Sequence, residues 1–140
     1  PGNAEKMGEY IGSSLDRLAE KHPRLCREVR RKGLMLGLEY THDIMGPLMS
    51  FYLAGNGVFA IFSGNNHKVM RLMPPLVINK QEADALIAAV DRSMTSAQRA
   101  ADIVKFAAKI PLVKQAIGVD EMQIAIIFVA KALRKLTGRS

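Results

Sequence analysis

The sequence predicts an α+β fold, a small antiparallel sheet of three to four strands covered by helices and followed by a C-terminal helical extension. Three patterns carry that expectation. Apolar residues recur at steps of three and four over residues 4–21 and 80–94. Apolar residues alternate with others over 34–40, and two short apolar runs flank the turn-forming segment SGNNHK. Steps of three and four wind onto one face of a helix, whereas a period of two turns one face of a strand toward a core. A chain of 140 residues is long enough for one such domain and leaves little room for a second.

The first helix is marked by Ala4, Met7, Ile11, Leu15 and Leu18. Pro23 closes it, because proline disfavours helical geometry in the residue before it. In EVRRKGLMLGLEY the period changes: Leu34, Leu36, Leu38 and Tyr40 make the buried side of one strand. Gly33 and Gly37 lie on its other side, where the missing side chains suggest a bend or a close approach by another backbone. Pro47 suits the first turn of a short helix that Gly55 and Gly57 end. VFAIF (58–62) and VMRLM (69–73) are expected as the two strands of a hairpin. Asn79, with Glu82 three residues later, makes a capping box for the next helix, whose core side carries Ala83, Leu86, Ile87, Val90 and Met94. Residues 97–110 keep helical spacing up to Pro111, and Asp120 with Gln123 starts a further helix that runs to Gly138. The expected division is residues 1–96 as the α+β domain and 97–140 as a helical extension.

Composition excludes several functions. Cys26 is the only cysteine, so no intrachain disulfide and no cysteine-based zinc site can form, and His22, His42 and His67 lack metal-ligand spacing. No metal site is expected, and a reducing, cytoplasmic setting is. The longest apolar run, 124–130, is too short to span a bilayer. The opening PGNAEKMGEY shows no signal-peptide pattern, and a start directly into a helix is expected of a piece of something longer. Net charge is +7, but residues 1–96 hold twelve Lys/Arg against ten Asp/Glu, and 97–140 hold eight against three. Any basic partner surface therefore belongs to the tail, where Lys131, Arg134, Lys135 and Arg139 cluster. At the end of a helix the macrodipole alone favours such cations, so no nucleic-acid site is expected.

The segment VMRLMPPLVI (69–78) carries the sharpest question, because Arg71 is its one charge. A guanidinium at the edge of a core needs a partner, since burying an unpaired charge is prohibitive. Its planar fork suits a carboxylate held in bidentate geometry. Pro74 and Pro75 then stiffen the exit of the strand. The plainer alternative is a structural salt bridge to a glutamate elsewhere. Among other candidates, GLMLG lies inside a strand pattern and is no phosphate loop, and REVRRK is expected as one solvated face. Cys26 is expected as a packed small side chain, and Met35, Met45, Met49, Met70 and Met73 as core filler.

The order EVRRKGLMLGLEY, a short helix, GVFAIF, then VMRLMPPLVINKQEADALIAAV resembles the C-terminal small domain of class III, pyridoxal-phosphate-dependent aminotransferases of the ornithine, acetylornithine and putrescine type. The resemblance spans roughly residues 3–94. It implies that Arg71 projects into an active-site cleft and pairs with the carboxylate of an amino-acid or oxo-acid substrate. It also implies a homodimeric, cytoplasmic transferase whose pyridoxal 5'-phosphate and Schiff-base lysine belong to a large domain upstream. No catalytic or cofactor-binding residue is then expected in this chain; Lys32 and Lys80 fall in small-domain motifs as solvated charges. On its own the chain is expected to be inactive. The alternative is a non-catalytic α+β module whose basic helical tail binds a partner.

Overall fold

The computed structural model describes residues 2–62, 64–66 and 68–112, together with Lys131 and Lys135. In chain order the elements are α1 (Gly2–Lys21), β1 (Cys26–Lys32), β2 (Met35–Tyr40), α2 (Met45–Gly55), β3 (Ile61–Phe62), β4 (Val69–Leu72) and α3 (Lys80–Ala108). The strands form one antiparallel sheet in the order β1-β2-β4-β3. The α+β expectation holds, with four strands.

One difference lies at Gly33. The segment expected as a single strand is two, because Gly33 and Leu34 make a tight turn between β1 and β2. Gly33 takes a φ of 56° there and among the described residues only glycines have a positive φ, which is the demand of a two-residue turn with glycine first. A second difference is β3, which keeps only the last two residues of the expected strand over 58–62.

Among the described residues the sheet is covered on one side only. Leu36, Leu38 and Tyr40 of β2 and Met70 and Leu72 of β4 are buried, and they share a core with Ile11 and Leu15 of α1, Leu48, Met49 and Leu53 of α2, and Val90 and Met94 of α3. Burying each large side chain contributes about 1.5–3 kcal/mol. The intervening residues Met35 and Arg71 are exposed. Two of the expected core methionines, Met35 and Met73, are therefore on the surface, while Met45, Met49 and Met70 are inside.

α1 is seated on the β1–β2 hairpin through missing side chains. A Cβ on Gly8 would stand 1.9 Å from the Gly33 carbonyl oxygen, and one on Gly12 would stand 2.1 Å from Arg31 Cδ. Arg31 crosses over Gly12, with Nε 3.0 Å from Glu9 and Nη1 2.7 Å from Asp16. Glu9, Gly12 and Asp16 fall at i, i+3 and i+7, one stripe of the helix. REVRRK thus does not present a single solvated face, since Arg31 turns to the helix side.

α3 opens with the expected capping box: Asn79 accepts from the Glu82 N–H at 2.8 Å and Glu82 accepts from the Asn79 N–H at 3.0 Å. The helix expected to end near residue 94 runs on as one element of 29 residues. Nothing from Asp91 to Ile103 breaks a helix, and Ala97, Ala100, Ala101 and Val104 continue its buried stripe. Arg24 grips Asp102 through both carboxylate oxygens, at 3.1 and 3.3 Å. The helix expected over 120–138 lies outside the described residues except for Lys131 and Lys135, which are exposed.

Gly8→Ala separates these effects. Alanine in place of a helical glycine adds about 1 kcal/mol of helix stability where there is room. Here the new methyl meets backbone, so overpacking of about 1–3 kcal/mol is expected to win. A urea midpoint below that of the wild type is the expected result.

Candidate functional site

The uncovered face of the sheet carries the charge. Strand register places Arg30 of β1, Gly37 of β2 and Arg71 of β4 in one row across it, with Gly37 opposite both arginines. The next row holds Glu28, Glu39 and Val69. Two rules put them there: side chains alternate along each strand, and directly paired residues share a face.

Arg71 stands between Met70 and Leu72, which are buried, and is itself exposed. Among the described residues it has no ion-pair partner, so the structural salt bridge that its sequence context allowed is not made there. The demand for a buried partner does not arise either, since the guanidinium faces away from the core. Its backbone is held on both sides, by β2 through Gly37 and by β3 through Ile61. Beyond it the Pro74–Pro75 exit is tied down from α1, where Asn3 Nδ2 donates to the carbonyls of Leu76 at 2.9 Å and Ile78 at 3.2 Å.

The sequence reading missed the ion-pair network beside Arg71. Arg30 Nη2 lies 3.1 Å from Glu28 and 3.0 Å from Glu39, joining two carboxylates that oppose each other across β1 and β2. The hydrogen bond from Arg30 lowers the pKa of Glu28 from its usual value. Its signal was present in the sequence as the period of two on each side of Gly33, and becomes visible once a hairpin is drawn there.

Apolar surface adjoins this face. Phe59, Met73, Leu76 and Val77 are 91, 64, 71 and 85 % exposed, a density of large apolar groups that solvent-facing loops rarely carry. At the exit of β4 a groove of about 230 Å³ runs between Val58–Phe59 and Met73–Pro75, with Ile78 and Leu86 also lining it. A larger groove of about 470 Å³ lies along the second half of α3, between His22, Gln98, Asp102 and Phe106. Burial, and then the neighbouring Lys21, pull the pKa of His22 below the usual histidine value, with Asp91 opposing them.

Neither groove is lined by a lysine, and no described lysine is buried. Among the described residues there is therefore no cleft lysine to hold pyridoxal phosphate. Among the described residues no group of His, Cys, Asp or Glu could hold a metal ion, and no helix is long and apolar enough to cross a membrane. Cys26 is buried, as expected of a packed side chain, and burial pushes its thiol up to about 11.

Known proteins share this arrangement. A family model described as aminotransferase class-III matches residues 2–94. A curated relative from Archaeoglobus fulgidus, an uncharacterized aminotransferase, is 29% identical over 107 residues, covering 76% of this chain and 25% of the relative. The acetylornithine aminotransferase from Elizabethkingia anophelis is similar with a TM-score of 0.60 and 27% identity, over 66% of this chain and 24% of that one. The ornithine aminotransferase from Toxoplasma gondii, a structure with pyridoxal phosphate at partial occupancy in its active site, is similar with a TM-score of 0.58. It is 29% identical over 66% of this chain and 22% of its own. The chain thus spans about a quarter of the length of the relatives it matches.

The buried thiol makes a direct check on the packing of β1. At pH 8 a thiol at about 11 is roughly 0.1 % thiolate, so Cys26 should react with a disulfide reagent at least about a hundredfold more slowly in the folded chain than after unfolding in urea. Equal rates would mean that the start of β1 does not pack Cys26 into the core.

Proposed function

The chain belongs to the class-III aminotransferase family, and on that premise we propose that it is the C-terminal small domain of a pyridoxal-phosphate-dependent enzyme that moves an amino group from an amine or amino acid to a 2-oxo acid. Residues 1–96 are the small domain in this reading, and 97–140 are an extension that begins as the continuous second half of α3. Pyridoxal phosphate supplies the electron sink for the transfer when bound, and its site is assigned to sequence beyond this chain. The full protein is proposed as a cytoplasmic homodimer.

The observation that carries the proposal is Arg71. It is a charged fork on a rigid strand, facing outward, with no carboxylate engaging it among the described residues. Such a group is preorganised for an acid, because the strand and the double proline have already restricted its backbone. The task assigned to Arg71 is to bind and orient the substrate carboxylate while the large domain closes over the open face. The exposed side chains of Phe59, Met73, Leu76 and Val77 support that docking, since a covering domain would remove them from water.

Two measurements test this. In the longer protein that contains this chain, Arg71→Ala should raise KM for the oxo acid by roughly one to three orders of magnitude, the usual cost of truncating a desolvated charge pair. Absorbance of the bound cofactor should stay unchanged, and unaltered kinetics would reject the assignment. The 140-residue chain alone, mixed with pyridoxal phosphate, should give no absorbance band beyond that of the free cofactor and no amino-group transfer. A stoichiometric coloured adduct would contradict the assignment of the cofactor site to another domain.

A further inference from the structure

We infer that Arg30 is a positioning residue: by holding Glu39, it keeps Arg71 unpaired and so available to an acidic ligand. The functional half rests on the reading of Arg71 given above; the structural half stands without it. Gly37 opposes Arg30 on one side and Arg71 on the other. Glu39, two residues along β2 on the same face, is therefore diagonal to both arginines. Diagonal neighbours in an antiparallel sheet stand about 7–8 Å apart, within reach of a side chain as long as arginine. Gly37 has no side chain to separate them, and a Cβ there would meet nothing closer than 3.9 Å.

Glu39 could serve either guanidinium, and it serves Arg30, at 3.0 Å. The choice has a local cause. Glu28 and Glu39 face each other across β1 and β2, an arrangement of like charges that is unfavourable unless a cation lies between them. Arg30 bridges both carboxylates, which Arg71 on the far strand cannot do. Glu39 is also the more enclosed of the two, 17 % exposed against 51 % for Glu28, so its charge needs a partner more. Remove the Arg30 guanidinium, and Arg71 is the guanidinium that remains diagonal to Glu39 across β2 and β4, while Arg27 lies near Glu28. An Arg71 already engaged by Glu39 presents no net charge to an incoming carboxylate and must first be released from it.

Guanidinium Nε–H exchange with water, followed by NMR on the 140-residue chain, reads the structural half. Arg71 should exchange freely in the wild type and about two- to fivefold more slowly in Arg30→Gln, as an exposed ion pair sustains. It should exchange freely again in Arg30→Gln/Glu39→Gln, and Arg30→Lys should behave as the wild type. The same Arg71 rate in Arg30→Gln as in the wild type overturns the inference. In the longer enzyme, KM for the oxo acid should rise by the same factor in Arg30→Gln, because the fraction of free Arg71 falls, and return in the double variant. A purely structural role for Arg30 would not be rescued by also removing Glu39. Slowed exchange with unchanged KM, where Arg71→Ala does raise KM, overturns the functional half. If Arg71→Ala itself leaves KM unmoved, the carboxylate reading falls, and the exchange rates still decide whether Arg30 holds Glu39 away.

Discussion

Leu36, Leu38 and Tyr40 of β2 and Met70 and Leu72 of β4 are pressed beneath three helices, while the residues between them face outward. The other features of the molecule follow from this one-sided burial. A slip of one residue in β4 would drive Arg71 into the core and expose Met70 and Leu72, at a cost of several side chains' worth of burial. The register is thereby held against error, and the same alternation that buries leucines delivers a guanidinium to the opposite face. In this chain the stability of the sheet and the direction of Arg71 are one fact.

The helices keep that arrangement in place by different means. α1 approaches the hairpin at backbone distance because Gly8 and Gly12 leave room for Gly33 and for the Arg31 side chain. The pairs that Arg31 makes with Glu9 and Asp16 are partly exposed and contribute little individually, but they tie α1 to the same side of the hairpin as the core. α3 spans the domain and then exceeds it. Its cap is local, whereas its second half is held by alanines in the core and by Arg24 gripping Asp102. The family match stops at residue 94, inside this continuous helix.

Four arginines with the same chemistry have four different fates. Arg24 locks a turn to α3, Arg31 locks a hairpin to α1, and Arg30 joins two opposed glutamates. Arg71 alone of these faces outward without a described acidic partner. The environment sorts them, and the sorting is what a functional reading needs. A guanidinium that has satisfied itself internally has nothing left for a ligand, whereas one held rigid and unsatisfied has its full electrostatic capacity to offer.

The sequence by itself determined whatever depends on neighbours a few positions apart. The turns of α1, the Asn79–Glu82 box, the period of two from Leu34 to Tyr40 and the stiff exit at Pro74 were all legible. So was the parity that opposes Arg71 to Met70 and Leu72, because each pattern is written within one or two turns or one strand. Only the tertiary structure decided that EVRRKGLMLGLEY breaks into two strands, that Arg31 turns to the helices while Arg30 turns away, and that α3 continues to Ala108. Only it set Arg30, Gly37 and Arg71 in one row. Strand order and charge partners join residues far apart in the chain, as Glu9 and Arg31 or Arg24 and Asp102 are, and which distant groups meet is settled by the packing of the whole core at once.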